Sequence, residues 1–240
     1  MNDLMQALTA WDRHAFVEIN HGLKNPFFDV VMPRISDLGL GHIQVLFILA
    51  CAIIVAAVAG EVHSKTLFTD IQRAFIRRKS WVVPLLLAFA ISGIGATLFK
   101  HSVDRDRPWW FYSHEHELGR SLDVRVETLA GRRPLRVRGF LSGHTATSVA
   151  LATAGTILFI RRKKLLPLVV AGWLLAGLIS LSRIYIADHW PIDVVCGGML
   201  GALSGVVAVL LYRGRAPASA SAKTLKEESA TVADNSVAIG

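Results

Sequence analysis

Apolar residues in this 240-residue chain gather into five stretches of about 18 to 23 residues that contain no Asp, Glu, Lys or Arg: Leu38–Gly60, Trp81–Phe99, Gly139–Ile160, Leu165–Ser182 and Val194–Tyr212. At a rise of about 1.5 Å per residue, each can cross a hydrocarbon core of about 30 Å as a helix. The pattern therefore predicts an all-α, polytopic membrane bundle of about five to six spanning helices. Residues 1–37 break the pattern, with isolated charges scattered among Trp11, Phe16, Phe27 and Phe28. That mixture predicts an amphipathic N-terminal segment lying on or dipping into the interface. Residues 38–215 then form the membrane-embedded domain. Residues 216–240, rich in Ala, Ser and charge without apolar periodicity, predict a disordered cytoplasmic tail. Met1–Asp12 has neither a basic start nor an apolar core, so the first span is expected to serve as its own insertion signal.

Composition sharpens this picture. Hydrophobic residues make up 52% of the chain and charged residues 18%, too little polar surface for a soluble enzyme, a disordered chain or a secreted disulfide scaffold. Cys51 and Cys196 both sit inside apolar runs and read as small buried hydrophobes. The net charge of +8 comes mainly from basic clusters at span ends, which fit anionic lipid and topology better than nucleic acid. Lys65, Arg73, Arg77, Arg78 and Lys79 in one connection, and Arg161–Lys164 in another, mark cytoplasmic turns. Counting crossings from them places residues 101–138 and 182–193 together on the outer side. Gly197, Gly201 and Gly205 form a small-residue ridge suited to close helix packing within the bundle, with a homodimer seam as its alternative use.

Polar residues collect in three groups at the outer span ends. KHSVDRDRP ends one span with Lys100 and places Arg107 seven residues on, before Pro108. LSGHT offers Ser142 as a helix cap, Gly143 for close backbone approach and His144 in the first helical turn, where free amides and the helix dipole favour an anion. SRIYIADHWPID carries Arg183, then His189 and Asp193 four residues apart with Pro191 between them, so a helix start puts the carboxylate beside the imidazole. An imidazole held in that way serves as nucleophile or base. Lys100, Arg107 and Arg183 add cations suited to phosphate oxygens. Taken singly, each charge could snorkel to the interface and each histidine could simply be hydrogen-bonded. The three patterns in this order, however, arise by chance on the order of once in a million.

These motifs resemble the type 2 phosphatidic acid phosphatase superfamily, whose pattern K-x6-R-P, P-S-G-H, S-R-x5-H-x3-D is matched from Lys100 to Asp193, except that Leu141 stands at the usual proline. The resemblance implies phosphate ester hydrolysis through a phosphohistidine, with no metal and no cofactor. It assigns His189 as nucleophile, Asp193 as its orienting partner and His144 as general acid. Lys100, Arg107, Ser142, Gly143 and Arg183 become the phosphate ligands. The expected protein is a multi-pass phosphatase of the inner (plasma) membrane, its pocket at the outer, periplasmic face and its substrate a bilayer lipid phosphate or diphosphate. Undecaprenyl diphosphate is favoured, with phosphatidylglycerol phosphate, phosphatidic acid and lipid A phosphate close behind. A lipid phosphotransferase and a non-catalytic anionic-lipid binder or transporter are the rival readings. His114, Glu115, His116 and Glu117 read as a solvated face rather than a metal site. His101, Asp104, Arg105 and Asp106 lie inside the first motif, where they can tune the pocket or contact a head group; for Asp104 and Asp106 local pairing with arginines is the preferred reading. Arg120, Arg125, Arg132, Arg133, Arg136 and Arg138 in the outer loop have two readings of equal standing, attraction of a polyanionic lipid head and pairing with Asp123, Glu127 or membrane phosphates.

Overall fold

The structure, a computed structural model, describes residues 2–58, 67–114 and 136–214. Lys65, residues 115–117, the arginines at 120, 125, 132 and 133, and the 216–240 tail lie outside the described residues. Eight α-helices follow in order among those described: α1 (Asn2–Gly22), α2 (Pro26–Asp37), α3 (Gly41–Val58), α4 (Leu67–Ser102), α5 (Pro108–His114), α6 (Gly143–Phe159), α7 (Leu166–Tyr185) and α8 (Pro191–Gly214). By contacts the chain divides into a first unit, Met1–Val209, which holds the helices discussed below, and a second, Leu210–Gly240, of which only the end of α8 is described.

The apolar stretches become helices as expected. Phe68–Ser102, Lys163–Tyr185 and Pro191–Gly214 are each long and apolar enough to cross a membrane, and Pro26–Asp37 with Gly41–Ala57 qualify together as a pair bent by 71°. Helix α6, at 17 residues, rises about 25 Å and packs against α4 and α7. One expectation changes: Arg73, Arg77, Arg78 and Lys79 are not in a turn but in the early turns of α4, where Arg73 pairs with Asp70 at 3.0 Å. No Gly or Pro interrupts Leu67–Val83, so the helix extends beyond its apolar stretch. The Arg161–Lys164 turn is exposed, as its charge predicts.

Antiparallel α4 and α6 put Trp81 against Phe159 at one end, while Gly143 approaches Lys100 at the other. Helix α8 runs parallel to α6 and almost touches its backbone. A Cβ at Gly197, Gly201 or Gly205 would lie 2.6, 2.4 or 2.7 Å from the carbonyl oxygens of Ser142, Ala146 and Ala150. The glycine ridge is thus occupied within the chain, and it draws the start of α8 against the start of α6. Helices α1 and α2 pack on α7. Buried Asn20 donates to the Tyr185 carbonyl at 2.8 Å, and the Tyr185 hydroxyl donates to Asp29. Phe16 stacks on Tyr112 and meets Trp190 edge-on, while Leu4, Met5 and Trp11 stay exposed, which makes α1 amphipathic.

A side chain at Gly201 must displace backbone, an overpacking cost of roughly 1–3 kcal/mol. Gly201→Leu is therefore expected to lower the Tm of detergent-solubilised protein by several degrees. Gly198→Leu, at a position with nothing within 4 Å of the new Cβ, leaves Tm unchanged. Equal Tm values for the two variants would place the ridge outside the α6–α8 contact.

Candidate active site

The three polar groups meet at one end of the bundle because α4, α6 and α8 each deliver a terminus there. Ser142 is the N-cap of α6: its Oγ accepts from the Thr145 N–H at 3.4 Å and from the Thr145 hydroxyl at 3.0 Å. Its own N–H donates to the Asp193 carbonyl at 3.0 Å, locking the second motif to the third. Leu141, where the family pattern has proline, is buried against Ala96 and Ala146. Gly143 faces Lys100 closely, since a Cβ there would lie 3.2 Å from Lys100 Nζ, and a side chain would push the ammonium aside. The lysine ammonium thus sits directly over the start of α6, whose first-turn amides have no intrahelical acceptors.

Arg107 and Arg183 are both buried and share one carboxylate. Arg107 Nη1 is 2.8 Å from Asp188 Oδ1, and Arg183 Nη2 donates to Asp188 Oδ2. Arg183 Nη1 also donates to Ser36 Oγ of α2 at 2.5 Å. The Nε donors of both arginines are buried and have no hydrogen-bond partner. Burial alone would raise the Asp188 pKa, but Arg183 first and Arg107 next outweigh it and pull the pKa down to about 2. Asp188 therefore remains an anion between two cations.

His189 is 1% exposed. Its Nδ1 lies 2.7 Å from the Gly139 carbonyl oxygen, which can only accept, so Nδ1 carries the proton and Nε2 carries the lone pair. Burial first, then Arg183 and Arg107, hold its pKa well below the ordinary imidazole value. The ring is accordingly neutral at neutral pH. Asp193 lies beside it as the four-residue spacing predicts, but at 3.8 Å from Nδ1, beyond hydrogen-bond reach. The expected carboxylate–imidazole bond is replaced by the carbonyl bond because the Asp193 oxygens are engaged elsewhere. Oδ2 accepts from the Trp190 N–H at 2.9 Å and Oδ1 from Arg105 at 2.5 Å.

His144 lies within electrostatic range of Arg183, His189, Lys100 and Arg107, so both histidines face one cationic pocket. Its ring packs on the turn at Gly39, where a Cβ would lie 2.6 Å from His144 Cδ2. All eight residues singled out by sequence, Lys100, Arg107, Ser142, Gly143, His144, Arg183, His189 and Asp193, are thus at the same end of the bundle. Those the spacing did not single out are Asp12, Ser36, Gly139 and Asp188. Of these only Asp188 left a signal, an acid in an otherwise apolar segment between Arg183 and His189, where a charge needs a partner. Asp106 pairs with Arg136 at 3.0 Å, while His101 and Asp104 are exposed. Among the described residues, no group of three or more His, Cys, Asp or Glu side chains is placed to hold a metal ion.

Comparison with known proteins identifies the family. The chain is 27% identical over 165 residues to a lipid A 1-phosphatase of Rhizobium etli, an alignment covering 68% of this chain and 65% of that one. It is 29% identical over 154 residues to a lipid A 1-phosphatase of Porphyromonas gingivalis, covering 61% of this chain and 31% of the other. The chain thus spans just under two thirds of the first relative's length and about a third of the second's. Two crystal structures share the fold: LpxE of Aquifex aeolicus, with a TM-score of 0.51, 24% identity and coverage of 82% of this chain and 93% of that one, and a transmembrane PAP2 type phosphatidylglycerolphosphate phosphatase of Bacillus subtilis, with a TM-score of 0.53, 20% identity and coverage of 88% and 89%. The family model of the PAP2 superfamily matches residues 81–217, a stretch that contains all three motifs, and the chain belongs to that superfamily.

Proposed function

We propose that this protein is a membrane lipid phosphatase working through a phosphohistidine, with its pocket at the outer face of the cytoplasmic membrane. The observation that carries the reading is the Gly139 carbonyl on His189 Nδ1, which leaves the Nε2 lone pair free within electrostatic range of Arg183, Arg107 and Lys100. The buried, unpartnered Nε donors of the two arginines support an anion as the occupant. In the first step His144 enters as the imidazolium, its proton favoured by the bound phosphate dianion; His189 Nε2 attacks phosphorus, the bond from phosphorus to the lipid oxygen breaks, and His144 gives that oxygen its proton. Water then attacks the phosphohistidine, His144 takes its proton, and inorganic phosphate leaves. Lys100, Arg107, Arg183, Ser142 and Gly143 hold the non-bridging oxygens, and Asp193 stabilises the imidazole as it becomes cationic.

The substrate is a phosphorylated lipid. The names of the curated relatives favour a glycolipid 1-phosphate of the lipid A type over undecaprenyl diphosphate, which the sequence alone had placed first. Phosphate release from a panel of lipid A, undecaprenyl diphosphate, phosphatidylglycerol phosphate and phosphatidic acid by the purified protein in detergent decides among them. Recovery of the phosphate on an acceptor lipid instead of in water would convert the reading to a phosphotransferase. Binding without turnover on every lipid would sink the enzyme reading.

His189→Ala is expected to abolish turnover while leaving lipid binding within a few-fold, because the cations and the lipid chain supply most ground-state affinity. Turnover near the wild-type rate would remove His189 as nucleophile. His144→Ala is expected to cost about 10²–10⁴-fold on a lipid phosphate, whose alcohol leaves poorly, and much less on an aryl phosphate that departs unaided. An equal loss on both substrates would leave His144 as a phosphate ligand with no proton to give.

Orientation is tested with single cysteines at exposed Lys163 and His114 in a Cys51→Ser, Cys196→Ser background. In intact cells an impermeant maleimide is expected to label position 114 and not position 163. The opposite labelling would turn the pocket to the cytoplasm.

A further inference from the structure

Arg105 lies inside the first motif, between its lysine and its arginine, and neither the spacing argument nor the phosphate pocket uses it. Its surroundings are unusually specific. Nη1 is 2.5 Å from Asp193 Oδ1, Nη2 is 2.5 Å from Asp12 Oδ2, and the guanidinium lies 5.5 Å from the Trp190 ring centroid. Its backbone carbonyl accepts the Gly139 N–H at 3.2 Å, and the Gly139 carbonyl is the acceptor on His189 Nδ1. Arg105 therefore holds both groups that face that side of the imidazole, one through its main chain and one through its side chain. Asp12, 1% exposed, fixes the other end: its Oδ1 accepts the Ile192 N–H at 2.9 Å, one residue before Asp193. A buried carboxylate from α1 thus caps the start of α8 and neutralises Arg105 at the same time.

We propose that Arg105, anchored by Asp12, is a positioning residue for the nucleophile: it engages Asp193 so that His189 stays neutral, with Nδ1–H on the Gly139 carbonyl and Nε2 free to attack phosphorus. The inference rests on the phosphatase reading for its kinetics but not for its geometry. Without the guanidinium, the Asp193 oxygen it held becomes free at a buried site next to the ring, and the carboxylate turns toward Nδ1 and favours imidazolium, which has no lone pair on Nε2. The other groups facing His189 are Arg183, Arg107 and Lys100, which oppose a positive ring, Asp188, which favours it, and the second imidazole, His144; none of them is altered by the substitution. Asp193 in turn faces Arg107 besides Arg105.

The test uses full-length protein in detergent with Arg105→Ala, Arg105→Lys and Asp12→Asn, the last keeping an acceptor for the Ile192 N–H while removing the charge. Two measurements are made: kcat and KM on the best lipid and on an aryl phosphate, and the titration of His189 by ¹⁵N NMR of histidine-labelled protein, its signal assigned by loss in His189→Gln. Arg105→Ala is expected to lower kcat about 10²-fold on both substrates, the scale of a misplaced reacting group, with KM within about three-fold. His189 is expected to titrate at higher pH than in the wild type. Arg105→Lys recovers part of kcat, and Asp12→Asn, measured alone, falls between it and Arg105→Ala; added to Arg105→Ala it changes little, because both act through one pair. If Arg105→Ala fails to fold, Arg105→Lys and Asp12→Asn carry the same two readouts. Unchanged kcat, a rise in KM with kcat intact, or an unmoved His189 titration overturns the positioning role. If the wild type hydrolyses none of the substrates, the phosphatase reading falls, and the titration still decides what Arg105 does.

Discussion

Three cations and two imidazoles are held together at a buried end of a helical bundle, and their mutual repulsion is the constraint around which the rest of the site is arranged. In a low-dielectric pocket, like charges within a few ångströms are costly unless opposite charge or hydrogen bonds offset them. Asp188 provides the internal offset, with one oxygen on Arg107 and the other on Arg183. Its single charge is shared among Arg107, Arg183 and Lys100, so positive charge remains in excess, and the two arginine Nε donors stay open. A phosphate group completes that balance. The repulsion also serves the chemistry, since the cations that would bind a phosphate keep His189 unprotonated until it arrives.

Holding such a pocket rigid requires partners from distant parts of the chain. Helices α1 and α2 fill that role: Ser36 bonds Arg183, Asp12 bonds Arg105 and the start of α8, and Asn20 with Asp29 ties the end of α7. Phe16 packs between Tyr112 and Trp190, the residue after His189. The amphipathic segment is consequently part of the wall around the site, with its exposed apolar residues left for the bilayer boundary. From the opposite side the glycine ridge of α8 admits α6 at backbone distance, which allows the Ser142 N–H to reach the Asp193 carbonyl. Packing deep in the bundle and hydrogen bonding at its rim belong to one arrangement.

How far the sequence was legible follows from the range of each interaction. Spans, caps and the His189–Asp193 proximity are local, set by runs of about twenty residues or by spacings of three and four, and a single sequence displays them. Ser142 as a cap and Pro191 at a helix start were readable for this reason. Three of the groups that escaped reading act across 50 residues, for Gly139 and His189, to 180, for Asp12 and Ile192, while Asp188 joins Arg183, five residues before it, to Arg107, 81 before it. Gly139 acts through a carbonyl that every residue possesses, so no residue type could announce it. Asp12 looked like any isolated charge in an interfacial helix, and only the packing of α1 shows it buried. The basic stretch before Trp81 was misread for the reverse reason: charge marks the end of the membrane, not the end of a helix.

The substitution of a carbonyl for a carboxylate on His189 Nδ1 bears on the proposed chemistry. A carboxylate hydrogen-bonded to a resting imidazole would raise its basicity and, in a buried site, draw a second proton onto it. A carbonyl fixes the same tautomer with less pull, so the ring keeps its lone pair. Once a P–N bond forms, the ring becomes cationic, and the neighbouring charge that was undesirable before is needed. In the proposed mechanism Asp193, with no solvent exposure and 3.8 Å away, supplies that charge as it develops. An interaction stronger in the charged intermediate than in the resting enzyme is the kind that lowers a barrier instead of merely tightening a ground state. On this reading the distance between Asp193 and His189 is a feature of the site and not a defect in it. Arg105 and the Trp190 N–H, which hold the carboxylate at that distance, are as much a part of the catalytic geometry as the motif residues themselves.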